Sequence, residues 1–94
     1  MRASRPRFPH SRDIDFVRVI LQRNIALDTP LKEGWRYSLK NVPNYRLESR
    51  SRRVQWTVDV YAGMHLVVTV GDRYTQICKS VPSMVSFLRR MLRV

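Results

Sequence analysis

Cysteine, glycine, histidine and acidic residues are all scarce in this chain. A single cysteine, Cys78, excludes an intramolecular disulfide and any zinc site built from several thiolates. It reads as a small buried thiol in a reducing compartment. The three glycines, Gly34, Gly63 and Gly71, lie too far apart to form a phosphate-cradling loop. Of the two histidines, His10 and His65, only His65 stands in a patterned segment. Its one nucleophilic partner is Cys78, with Asp72 to orient it, and no spacing favours that set. Asp59, His65 and Asp72 do not converge as metal donors on any simple reading. No apolar run approaches the ~20 residues of a membrane span, and no signal-peptide core follows the basic N-terminus. The expectation is therefore no catalytic residue, no metal, no cofactor, no small-molecule substrate and no membrane.

What the chain does have is arginine. Eighteen basic residues face seven acidic ones in 94 residues, a net charge of +11, and all but Lys32, Lys40 and Lys79 of those eighteen are arginine. A planar guanidinium pairs bidentately with phosphate and stacks on bases, so the skew points to nucleic acid. GC-rich coding or an overlapping reading frame would impose the same skew. At 44% hydrophobic the chain has enough apolar residues to fold. Its length implies one domain, and so small a domain buries only about two-thirds of its unfolded surface, which favours a homodimer.

Residues 1–12 (MRASRPRFPHSR) carry four arginines, two prolines and no acid, and read as a flexible basic arm before a single domain over 13–94. Pro6 and Pro9 break the amphipathic helix that a mitochondrial presequence requires. Over 13–25, Ile14, Val17, Leu21 and Ile25 recur at helical steps, with Phe16 and Ile20 widening the stripe. Asp28-Thr29-Pro30 ends that helix. Segments 34–40, 45–49, 54–62 and 65–70 alternate apolar and polar residues and read as strands. Inward positions include Trp35, Tyr37, Leu39, Trp56, Val58 and Val60. Gly71-Asp72 reads as a hairpin turn or a helix start, and 73–78 as a short return strand or a first helical turn. Ser80 caps a final helix whose stripe is Val81, Met84, Val85, Leu88, Met91 and Leu92. The fold class is α+β: an N-terminal helix, an antiparallel meander of three to four strands and a C-terminal helix, with one sheet face open.

The open face would carry guanidinium, amide and hydroxyl groups and few carboxylates, which suits sugar and phosphate contacts. Strand aromatics fall mainly on the apolar side, so a base-stacking platform is disfavoured against shape recognition of an A-form duplex. The candidate RNA-binding residues are Arg36, Lys40, Arg46, Arg50, Arg52, Arg53, Gln55, Thr57, Thr69, Gly71 and Arg73.

Two family resemblances bear on the same ligand. Residues 42–63 (VPNYRLESRSRRVQWTVDVYAG) resemble the first two strands of a double-stranded-RNA-binding domain. Residues 56–92, with the entry PLKEGW at 30–35, resemble tombusvirus-type RNA-silencing suppressors. The second resemblance implies a homodimer whose concave sheet holds short duplex RNA by its backbone, with Thr69, Gly71, Lys40 and Arg46 in contact. That family's N-terminal tryptophan pair, which measures duplex length, has no counterpart in 13–25, and this implies a length-blind relative. The expected function is that of a viral accessory protein of the host cytoplasm, with the nucleus as the alternative location. It would bind double-stranded RNA and suppress silencing by sequestration. The alternatives are an accessory factor that binds a host or viral protein, and a nonspecific basic nucleic-acid binder.

Overall fold

The computed structural model describes residues 11–93. The elements run α1 (Ser11–Asn24), β1 (Lys32–Tyr37), β2 (Pro43–Ser51), β3 (Val54–Val60), a single 3-10 turn (Ala62–Met64), β4 (Leu66–Val70), β5 (Tyr74–Cys78) and α2 (Val81–Leu92). The five strands, one more than the three to four expected, form one antiparallel sheet in the order β1-β2-β3-β4-β5, so every connection is a hairpin and the chain is an α+β meander. The segment at 73–78 is a strand, and Gly71-Asp72-Arg73 is the hairpin turn that leads into it, with Gly71 at φ 66°. Ser11 and Arg12, placed by the sequence in the basic arm, belong to α1; the rest of that arm lies outside the described residues.

Register decides which side chains share a face. Tyr45, Val60, Leu66 and Cys78 form one cross-strand row, Leu47, Val58, Val68 and Gln76 the next, and Ser49, Trp56, Val70 and Tyr74 a third. Most of these are buried, because both helices cover that side. Ile14, Val17 and Leu21 of α1 and Val81, Met84, Phe87, Leu88 and Leu92 of α2 complete the core, and α2 packs on β4, β5 and α1. Ser80 caps α2 as its sequence predicts, its hydroxyl accepting from the Ser83 N–H at 3.2 Å. Two polar contacts brace the fold, one within the sheet and one between α1 and the sheet. The Trp56 indole donates to Ser51 Oγ at 2.9 Å, and Arg18 of α1 donates to Glu33 of β1 at 2.8–3.1 Å.

The core differs from the expected stripes in both helices and at β1. Phe16 is 54% exposed while Phe87, outside the expected stripe of α2, is buried. Trp35 and Tyr37 point to the helix side but stay exposed, and Leu39 is fully exposed in the turn after β1. The reason is coverage. β1 is an edge strand with β2 as its sheet neighbour, and the helix pair covers β1 less fully than the inner strands. Trp35 instead packs edge-on against Tyr45, ring centroids 5.3 Å apart.

Candidate nucleic-acid interface

The side of the sheet away from the helices has its own rows. Lys32, Glu48, Thr57, Thr69 and Thr75 lie across one, and Gly34, Arg46, Asp59, Val67 and Ile77 across the next. Arg36 pairs with Asn44, and Arg50 with Gln55. Thr57, Thr69 and Thr75 thus form a hydroxyl ladder, with Thr69 Oγ1 and Thr75 Oγ1 3.3 Å apart. Charge gathers on the β1–β2 side of this face, and Val67 and Ile77 make its β4–β5 side apolar.

The eleven candidate residues divide by position. Arg46 is bound internally: its Nε and Nη2 donate to Asp59 at 2.9 and 3.1 Å, and this hydrogen bonding pushes the guanidinium pKa further up. Arg36 folds back, Nη1 donating to Trp35 O at 3.2 Å, and an added Cβ on Gly34 would stand 3.6 Å from that nitrogen. It sits with Lys40 towards the β1–β2 turn. Thr57 and Thr69 occupy the middle of the face.

The remaining six come together at the opposite end of the sheet. Antiparallel order brings the β2–β3 turn (Arg52, Arg53), the β4–β5 turn (Gly71, Arg73) and the flanking Arg50 and Gln55 to that end. The Gly71 N–H donates to Gln55 O at 2.7 Å and ties the two turns together. Arg50, Arg52, Arg53 and Arg73 are exposed and, among the described residues, make no ion pair; the pairs there are Arg18 with Asp15 and Glu33, and Arg46 with Asp59. The C-terminal turns of the two helices meet each other. Arg89 Nη1 donates to Asn24 O at 3.0 Å, Arg90 lies 5.8 Å from the Phe87 ring centroid, and Arg93 closes α2 in the left-handed region. Cations at helix C-termini also suit the negative end of the dipole. Beside Arg50, a hollow of about 460 Å³ is lined by residues 29–32, 48–50 and 55, with Lys32, Arg50 and Glu48 on its wall.

Sequence reading missed Asp28. It appears there only as part of a helix stop, yet its backbone N–H donates to Arg50 O at 2.7 Å and its Oδ2 accepts from the Arg53 N–H at 2.7 Å. A contact across 25 residues leaves no local signal to find. Among the described residues no helix is long and apolar enough to cross a membrane, and no group of three or more His, Cys, Asp or Glu side chains is placed to hold a metal ion.

The fold and surface thus define a small α+β meander with a cationic sheet end. Comparison of the chain with known protein families, curated proteins and solved structures finds no match.

Proposed function

We propose that the chain binds double-stranded RNA through its sugar–phosphate backbone and sequesters it, and that in a virus-infected cell this suppresses RNA silencing. One observation carries the reading: four exposed arginines that have no carboxylate partner among the described residues, Arg50, Arg52, Arg53 and Arg73, gather at one end of a sheet whose open face continues as a threonine ladder. Clustered, unneutralised guanidinium groups supply affinity by counterion release. Hydroxyls beside them supply contacts to the 2′-hydroxyls that distinguish A-form RNA from DNA. The resemblances to duplex-RNA-binding families name the same ligand.

A homodimer accompanies this reading. The stripe of α2 is consumed by the sheet, since Val81, Met84, Leu88 and Leu92 are buried, which leaves the sheet edges for self-association. Tyr74 and Ile77 on the edge strand β5 are 54% and 62% exposed, and such an edge invites strand pairing. The same feature favours the second reading, in which β5 adds to a strand of a host or viral protein.

The test is a gel shift of a short RNA duplex at physiological salt, with DNA duplex and single-stranded RNA of the same length as competitors. Survival of the complex against both is the expected result. Equal competition reduces the protein to a nonspecific polycation, and absence of a complex moves the weight to the protein-partner reading.

A further inference from the structure

We propose that the Arg52-Arg53 tip of the β2–β3 hairpin is the element that grips successive backbone phosphates, and that Asp28 is the positioning residue that holds it in shape. The proposal rests on the duplex-RNA reading for its natural ligand and on the geometry of the turn for everything else. Ser51 and Val54 pair across the hairpin, so Arg52 and Arg53 are its two central residues. Both have positive φ, 51° and 67°, the conformation of a type I′ turn, for which Asn-Gly is the favoured pair. Two consecutive arginines there oppose the steric preference of L-residues. Such strain persists where the surroundings over-determine it, and it concentrates at functional sites.

The surroundings are specific. The Arg53 N–H donates to Asp28 Oδ2 at 2.7 Å, and the Arg53 carbonyl accepts from Arg50 Nη2 at 2.8 Å. Both backbone groups of Arg53 are therefore held by side chains. The Asp28 backbone is itself anchored, donating to Arg50 O at 2.7 Å. The Asp28 carboxylate is thus engaged with the main chain of the tip, and neither it nor Asp72 of the β4–β5 turn forms an ion pair with the Arg52 and Arg53 guanidinium groups, which remain exposed. Two adjacent, unpaired guanidiniums on a narrow convex turn match two neighbouring phosphates of a nucleic-acid strand, each able to take a bidentate contact.

The sign of one substitution separates positioning from bulk charge. Removing an acid from a basic surface strengthens polyanion binding if charge alone matters. If Asp28 positions the tip, Asp28→Ala weakens RNA-duplex binding about tenfold, the loss of one charge-assisted contact. Asp28→Asn, which keeps an acceptor for the Arg53 N–H, binds as tightly as the wild type or tighter. The paired substitution Arg52→Asn with Arg53→Gly supplies a second readout. It should raise the thermal midpoint by about 4 °C or more, through relief of the turn, while weakening binding of both the RNA duplex and inorganic tripolyphosphate. The measurements are fluorescence anisotropy with labelled duplex and calorimetry with tripolyphosphate on the full chain. Asp28→Ala binding as tightly as wild type, or the Asn-Gly replacement leaving binding intact, overturns the proposal. Wild-type protein that takes tripolyphosphate at the tip but ignores duplex ends the RNA reading and keeps the tip; protein that takes neither ends both.

Discussion

Arg46 reaches across the β2–β3 pair to hold Asp59, whose side chain is 6% exposed against 39% for the arginine. Asn44 completes the arrangement, donating to Asp59 Oδ1 at 2.6 Å. A nearly buried carboxylate on the open side of the sheet is therefore fully engaged, and Arg46 is first of all its counter-ion. Arg46→Ala should lower folding stability by about 1–3 kcal/mol, since the carboxylate loses its charge partner and keeps only the Asn44 donor. Urea unfolding followed by circular dichroism checks this. A variant as stable as the wild type would return Arg46 to the set of residues available to a ligand.

Trp56 is the largest fully buried side chain, and its indole N–H is satisfied by Ser51 Oγ. Trp56→Ala should cost about 3–5 kcal/mol as a core truncation. Ser51→Ala, which leaves the ring in place but its N–H unpaired, should cost about 1–3 kcal/mol and shift the tryptophan emission. A folded Trp56→Ala chain that loses nothing but RNA binding would mean the two faces of the sheet had been assigned the wrong way round.

The first four strands and the two helices were legible because their signals are local and periodic, whereas β5, exposed at every position but Cys78, carries no alternation that separates a strand from a helical turn. Val54, Trp56, Val58 and Val60 alternate, and Met84, Leu88 and Leu92 repeat at helical spacing. The extent of coverage was not legible. Trp35 and Tyr37 alternate just as Trp56 and Val58 do, and only the placement of the helices shows that β1 lies at the margin of their cover. The candidate site followed the same division. Its residue types could be read from the sequence, but the partition among them depends on pairings such as Arg46 with Asp59 and Asp28 with Arg53, separated by 13 and 25 residues. The Arg52-Arg53 turn was the harder case, because its sequence contradicts the preference that would have revealed it.

Alkaline pH should destabilise the fold ahead of any arginine titration. Burial pushes the Cys78 thiol pKa up, and burial together with the neighbouring Glu33 carboxylate pushes the Tyr45 phenol pKa up. A raised pKa in the folded state stabilises it fully below the unfolded value, and that contribution is lost as pH rises through the folded value. The loss should begin above the ordinary thiol value of about 8.5 and deepen above the phenol value of about 10. Urea midpoints between pH 7 and pH 11, as a rough working range, should therefore fall, and Cys78→Ala should remove the earlier part of the decline. A flat profile would contradict the burial of both groups. Cys78 should also react with a disulfide reagent only as fast as the protein opens.

Position on the surface should matter as much as charge, and Arg73 and Lys40 test this. Arg73 lies in the β4–β5 turn beside the arginine cluster, and Lys40 in the β1–β2 turn at the other end of the sheet. Both are exposed, so substitution of either by glutamine should leave stability within about 0.5 kcal/mol of the wild type. Each removes one positive charge, so a ligand held by diffuse attraction would feel the two alike. A ligand seated at the cationic end would not. Arg73→Gln should flatten the log–log dependence of RNA-duplex affinity on salt by about 0.7–0.9, the contribution of one phosphate contact, and weaken binding equally across sequences. Lys40→Gln should leave that slope unchanged. Salt titrations of the wild type and both variants against one duplex decide the matter. Equal slopes for the two variants would spread the interface over the whole sheet, and a larger effect at Lys40 would move it to the opposite end.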